Sequence, residues 1–147
     1  MCRQMIGTAR AYLPADVLKV VLPPVPSINA LYFTTKFGKR IRTAKAKEWF
    51  AAAEEIIAKA MEEQGWKTTE STKVVIDIMT YWPDARKRDV DNQGKAIFDA
   101  LEHAGVFDND RWALPRYIDF AIDRQNPRVE CVIRLFDEEK DGWIHGI

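Results

Sequence analysis

Two aspartates one residue apart, Asp89 and Asp91, open the stretch KRDVDNQGKAIFDALEHAGVFDND at residues 87–110, and a second acidic cluster, Asp108-Asn109-Asp110, closes it. Acids in that pattern cap helices, line a calcium loop, or hold a catalytic metal. The calcium loop fails on spacing. Asp89, Asp91 and Gly94 fall at positions one, three and six of an EF-hand, but position five is Gln93, and Ala100 stands at position twelve, where a bidentate Glu is required. The segment ahead is a β-rich run ended by Pro83, where an EF-hand needs a helix. Capping accounts for one acid, since the side chain of Asp91 or Asn92 can accept an N–H from the first turn of the segment that follows. Asp89 and Asp110 are left without a role.

A helix rises only about 1.5 Å per residue, so Asp110 approaches Asp91 only if the chain after Gly105 folds back along the helix. The apolar Val106-Phe107 pair can pack on the helix and make that return. Three carboxylates brought together repel one another by several kcal/mol unless a divalent cation neutralises them. Mg²⁺ takes one or two carboxylates together with waters and phosphate oxygens, the arrangement of metal-assisted phosphodiester cleavage, so Asp89, Asp91 and Asp110 are candidate ligands. Lys95 lies one helical turn after Asp91. It either stabilises charge building on a phosphate or orients the attacking water, or it pairs with Asp91 or Asp99 at i±4 spacing. Gly94, inside the first turn, costs roughly 1 kcal/mol of helix propensity against Ala and permits close approach by a backbone or a ligand.

These side chains depend on elements that the sequence also outlines. Val17 to Leu22 is a β-branched run that stops at Pro23-Pro24, and SINALYF (27–33) is a second short strand candidate. Phe37-Gly38-Lys39 forms a turn, Arg40 to Arg42 returns as a strand, and Thr43 caps a helix from Ala44 to about Glu63. That helix has an apolar stripe of Trp49, Ala52, Ala53, Ile56, Ile57, Ala60 and Met61, with Gly65 at its stop. Lys73 to Trp82 is a strand, in which Asp77 reads as a residue of the polar face rather than a catalytic one. A second helix runs from about Asn92 to His103, with Ala96, Ile97, Ala100, Leu101 and Ala104 on one stripe, and Gly105 ends it. Strands follow at Tyr117 to Asp123 and Arg128 to Phe136, with the turn-forming Gln125-Asn126-Pro127 between them. The irregular alternation predicts one α+β domain over 1–147, a mixed β-sheet with two main helices packed on it.

Equal numbers of basic and acidic residues, 22 of each, argue at first against a nucleic-acid partner. The balance hides a segregation. Lys36, Lys39, Arg40, Arg42, Lys45 and Lys47 share a segment without a single acid, and Arg86, Lys87 and Arg88 form a second cluster beside Asp89. The acids collect at Glu54, Glu55, Glu62 and Glu63 and in the tail at Asp137, Glu138, Glu139 and Asp141. Either basic run alone reads as a solvated face; the two together suit a phosphate-rich ligand. No apolar run approaches the roughly 18 residues of a membrane span, and the opening MCRQMIGTARAYLPA lacks a secretory apolar block, so the expectation is a cytoplasmic protein without membrane contact. Cys2 and Cys131 provide neither a disulfide framework nor a thiolate metal site.

RDVDNQGKAIFDALEHAGVFDND resembles the signature of the RusA-type Holliday-junction resolvases: R-D-x-D-N-x-x-K, a D-A-L helix, then G-V and an acidic cluster. Upstream, PSINALY is similar to that family's early Pro-Ser-Asn segment, and GKRIRTAKAKEW to its basic stretch entering the first helix. The resemblance covers about Leu22 to Asp110. It implies that Asp89, Asp91 and Asp110 are metal-binding aspartates and Lys95 the catalytic lysine. It further implies a homodimer that cuts four-way junction DNA by paired nicking with Mg²⁺, or Mn²⁺ as a substitute, in DNA recombination and repair. The basic residues from Lys36 to Lys47 and from Arg86 to Arg88 would then contact DNA. Asn109 replaces the family's first acid of a pair and Arg111-Trp112 replaces a small residue and Gln, while Asp110 keeps the register. Two other readings fit the acids: a metal-dependent phosphohydrolase acting on RNA or a nucleotide, and a junction-binding protein without cleavage.

Overall fold

Alternation of β-branched and polar residues brings the longest strands into one sheet. The computed structural model describes residues 16–144; Cys2 and the N-terminal stretch read for targeting lie outside them. In chain order the elements are β1 (Val17–Leu22), α1 (Ile28–Leu31), β2 (Tyr32–Thr34), β3 (Arg40–Arg42), α2 (Ala44–Gln64), β4 (Val74–Trp82), α3 (Gly94–Ala104), β5 (Ala113–Ile122), β6 (Arg128–Leu135) and α4 (Glu138–Asp141). The main sheet has the order β1-β6-β4-β5, and β2 and β3 form a separate two-stranded hairpin. β6 pairs antiparallel with both β1 and β4, whereas β4 and β5 run parallel, so the sheet is mixed. The α+β expectation, with two main helices on a mixed sheet, describes this architecture.

One face of the sheet buries Leu18, Val20 and Leu22 of β1, Cys131 and Ile133 of β6, and Val74, Ile76 and Ile78 of β4. Against them α2 lays Trp49, Phe50, Ala53 and Ile57, and α3 lays Ala96, Ile97, Ala100 and Leu101. Each large side chain so buried contributes about 1.5–3 kcal/mol relative to exposure. Thr43 caps α2, its Oγ1 accepting from the Ala46 N–H at 3.0 Å, and Gly65 ends it in the left-handed region at φ 74°. The buried face of α2 starts at Ala46 and includes Phe50; Ala52 and Ile56, expected on it, face solvent.

Two further expectations are corrected, and a third, the tight connection between the last two strands, holds. SINALYF is not a strand throughout: Ser27 accepts an N–H from Ala30 and opens the single turn α1, leaving only Tyr32–Thr34 extended. β5 begins at Ala113, ahead of Tyr117, because its first residues pair in register with Val74 to Asp77 of β4. The Gln125-Asn126-Pro127 connection is tight, since Asp123 Oδ1 accepts the N–H groups of Gln125 and Asn126, yet it does not make neighbours of β5 and β6. It passes the end of β4, where the Asp123 N–H donates to the Trp82 carbonyl at 2.8 Å. Among the described residues no helix is long and apolar enough to cross a membrane.

On the opposite face of the sheet the guanidinium groups of Arg134 and Arg116 fasten the segment around Asp141. Arg134 donates to both carboxylate oxygens of Asp141, at 2.7 and 3.1 Å, and to Asp77 at 3.2 Å. Asp77 thus has a structural role. The Asp141 side chain is 4% exposed, and the hydrogen bond from Arg134 holds its carboxyl below the usual carboxylate range despite burial. A depressed carboxyl adds stability above its unfolded pKa, about 4, and loses it as the pH falls. Asp141→Asn is therefore expected to lower stability by about 1–3 kcal/mol at pH 7. Thermal unfolding of the two proteins should converge as the pH is brought below about 4.

Candidate active site

Neighbouring parallel strands cannot be joined by a turn; they need a crossover of about a dozen residues or more, usually a helix. β4 and β5 are such a pair, and α3 with its flanking loops is their crossover. Every residue of the acidic motif lies on this one connection. Asp89 and Asp91 sit on the way from β4 into α3, Lys95 is in the first turn of α3, and Asp110 is on the way from α3 into β5.

Asp89 is extended, at φ −105° and ψ 124°, and the next residues, Val90–Gln93, form a single 3-10 turn that leads into α3. Gln93 pins this turn to the sheet: its buried Nε2 donates to Thr80 Oγ1 at 3.0 Å and to the Val90 carbonyl at 3.2 Å. No side chain caps either the turn or α3, so the capping role foreseen for Asp91 or Asn92 is not taken up. The Gly94 N–H is served instead by the Asp91 carbonyl, within the 3-10 turn. Asp89 and Asp91 are exposed, and among the described residues neither carboxylate has a hydrogen-bonding or ion-pair partner.

Gly94 is buried because the Tyr117 hydroxyl of β5 occupies the space a side chain would need: a Cβ there would stand 2.3 Å from it. Burial, and then the nearby Asp91 carboxylate, push the Tyr117 phenol up. Its proton therefore stays in place at neutral pH.

After α3 the chain does turn back. Gly105 adopts φ 92°, Val106 and Phe107 are buried in the core, and the Asp110 N–H donates to Glu102 Oε1 at 2.6 Å. Asp108 is held away from the site, accepting from the Ser71 N–H at 3.1 Å. Asn109 Oδ1 accepts from the Arg111 N–H at 2.9 Å and so caps the short 3-10 turn Asp110–Trp112 that presents Asp110. Lys95 Nζ then bridges Asp99 at 3.0 Å and Asp110 at 3.1 Å. Both alternatives read for Lys95 meet here: it makes the i+4 pair with Asp99, not with Asp91, and it reaches the second acidic cluster. Its hydrogen bonds to Asp99 and then to Asp110 raise its pKa, which keeps it an ammonium ion.

Asp89, Asp91 and Asp110 offer only carboxylate oxygens, the donors a hard divalent cation prefers, and two of them have no internal partner to surrender. The donor set therefore fits Mg²⁺ or Mn²⁺. Among the described residues no three acidic, His or Cys side chains are already gathered as a cage, because Asp110 faces Lys95. Mutual repulsion of the carboxylates favours that arrangement.

The sequence profile of the endodeoxyribonuclease RusA family matches residues 22–134, most of the chain. The chain belongs to the RusA family. It is 34% identical over 113 residues to the crossover junction endodeoxyribonuclease RusA of Aquifex aeolicus, covering 77% of this chain and 86% of that protein. The RusA protein of Escherichia coli strain K12 is 34% identical over 95 residues, covering 65% and 75% respectively, and that of Enterobacteria phage HK97 is 31% identical over 90 residues, covering 61% and 71%. Membership places the chain among endodeoxyribonucleases, hydrolases that cut DNA.

The two basic clusters of this RusA chain divide by partner. Lys36, Lys39 and Arg40 are exposed on the β2–β3 hairpin, Arg40 resting over the Tyr32 ring at 4.5 Å, and Lys45 and Lys47 are exposed at the start of α2. Arg42 turns inward, 3.7 Å from the Phe50 ring and 3.9 Å from Asp99. Arg86 and Arg88 both bind Asp84, at 3.2 and 2.7 Å, and among the described residues Lys87 has no ion-pair partner. Hydrogen bonding from Arg88 holds the Asp84 carboxyl far below its usual range.

The sequence gives no sign of the parts taken by Asp84, Gln93 and Tyr117. Glu102 alone carries a signal, two helical turns beyond Lys95 on the same face. A cavity of about 880 Å³ between Leu114, Arg116, Phe136 and Trp143 is lined by none of the site residues.

The Gly94–Tyr117 contact yields a prediction. Gly→Ala at an ordinary helical position adds roughly 1 kcal/mol of stability. Gly94→Ala is expected instead to destabilise the protein and slow cleavage, and Tyr117→Phe, which removes the contacting hydroxyl, should relieve part of the loss. Chemical denaturation of the two single variants and the double variant checks this; independent, additive effects would contradict the contact.

Proposed function

We propose that this protein is a structure-selective endonuclease that resolves four-way DNA junctions by paired nicking, with Asp89, Asp91 and Asp110 holding Mg²⁺ or Mn²⁺. The supporting observation is the pair of exposed carboxylates, Asp89 and Asp91, that neither cap α3 nor pair with a cation, in a RusA family member whose Lys95 reaches Asp110 across the crossover. The names of its relatives support the junction as substrate.

A cation bound there would polarise the scissile phosphate and lower the pKa of a coordinated water. The chain's own groups supply the rest. Lys95, an ammonium ion paired with Asp99, serves as a donor to phosphate oxygen. Lys95 would keep its contact with Asp99 if Asp110 held a metal, and so would stay positioned. Gln93 and Glu102 fix the backbone on either side of α3 and thereby the separation of the aspartates. The exposed cations of the hairpin and of α2 follow the DNA backbone, with Lys87 beside Asp89 adding a further phosphate contact. Two matched cuts require two active sites, so the working form is a homodimer with one nuclease domain and one site per protomer, acting on cytoplasmic DNA.

Asp91→Asn is expected to reduce cleavage at least about a hundredfold, since removing a ligand takes away several kcal/mol of transition-state stabilisation and each 1.36 kcal/mol is about tenfold. Junction affinity should stay within a few-fold, because no cap or ion pair is broken. Near wild-type cleavage would sink the metal-site assignment. Replacing Lys36, Lys39 and Arg40 together by Ala should instead weaken junction binding and reduce its salt dependence, by about 0.9 in log–log slope for each phosphate that is no longer neutralised. An unchanged slope would mean that the hairpin faces away from DNA.

A further inference from the structure

A second cavity, of about 240 Å³, is lined in part by Asp89. Its walls are Val25, Pro26 and Ile28 from the segment entering α1, and Trp82 from the end of β4; Lys87 and Asn92 stand at it as polar groups. Ligand pockets for drug-sized molecules hold roughly 300–1,000 Å³, so this slot suits a single ring system, not a whole nucleoside. Arg88, which also lines the cavity, lies over the Trp82 ring at 5.2 Å and is itself locked to Asp84 at 2.7 Å. Gln93, which also lines the cavity, spends its Nε2 on Thr80 and Val90, and its Oε1 is the one buried side-chain polar atom without a partner among the described residues.

We propose that this cavity receives one nucleobase of the cleaved strand, unstacked next to the scissile phosphate and laid against Trp82. The inference rests on the assignment of Asp89 to the cleavage site. A strand whose phosphate sits at Asp89 has its neighbouring base within one nucleotide of the slot, and Lys87 at the rim suits the intervening phosphate. Apolar side chains lining the same cavity as an indole suit sequence-tolerant stacking, while Asn92 provides an amide for a base edge. Extruding a base costs least where pairing is already weakened, as it is at a branch point, so the slot would favour branched over continuous duplex DNA.

The test uses the full chain with Mg²⁺ and a fixed four-way junction, made abasic in turn at each nucleotide flanking the cut. For the wild type, one abasic position should slow cleavage about tenfold, the scale of removing one base–aromatic stack. Trp82→Leu should lose a similar factor on intact junction and lose nothing more on that abasic substrate, while Trp82→Phe recovers most of the rate. Ile28→Trp, which adds bulk to a second lining position of the slot, should mimic Trp82→Leu, so the proposal remains testable if the leucine variant fails to fold. Additive losses, or a wild-type enzyme that cleaves every abasic junction equally well, would overturn the pocket while leaving the nuclease assignment standing. A wild-type protein that cleaves no junction at all would overturn both.

Discussion

The parallel pairing of β4 with β5 is the constraint on which the site depends. Antiparallel strands can be closed by two residues, and nothing chemical need happen between them. A parallel pair must be bridged by a long excursion, and here that excursion carries Asp89, Asp91, Lys95 and Asp110 on a single helix and its two flanking turns. The apolar stripe of α3 seats the helix on the sheet, and Gln93 and Glu102 tie the turn at each end. Small rearrangements of the crossover would thus move all the acids together.

Charge is organised around the same helix. Arg42, Asp99, Lys95 and Asp110 form an alternating series that runs from the basic hairpin to the second acidic cluster. Asp99 is the hinge of that series, since it meets the guanidinium of β3 and the ammonium of α3. Exposed ion pairs contribute little to stability, about 0–1 kcal/mol each, so the value of this series lies in orientation. A carboxylate in the right place is still a poor metal ligand if it is free to turn away, and Lys95 gives Asp110 a defined direction. The neutral net charge of the chain conceals a separation, with cations on the hairpin and the start of α2 and acids gathered in the tail.

Much of this is legible in the residues. The failed EF-hand spacing, the Gly105 stop and the Val106-Phe107 pair together imply a chain that doubles back to bring Asp110 towards the helix, and the fold does so. Lys95 stays open between two readings in the sequence because spacing reports only i±4 neighbours along a helix; its contact with Asp110 crosses a turn. SINALYF misleads because a Ser cap can win a four-residue turn from residues that would otherwise extend. The early start of β5 and the role of Tyr117 are hidden for a related reason: both follow from register with β4, a tertiary property. Asn109 and Arg111-Trp112, which depart from the family signature, form the capped turn that presents Asp110, so the substitution preserves the acid's position by a local device.

These carboxylates, set by one crossover, serve a metal-dependent nuclease selective for branched DNA in the function proposed above. The most direct measurement is turnover by the wild-type protein, with Mg²⁺ as the only divalent ion, on a fixed four-way junction and on linear duplexes of the same arm sequences at matched salt. Paired, symmetrically placed nicks in opposing strands of the junction, with little cutting of the duplexes, are the expected result. Equal cutting of both substrates, or no turnover on the junction, would contradict it.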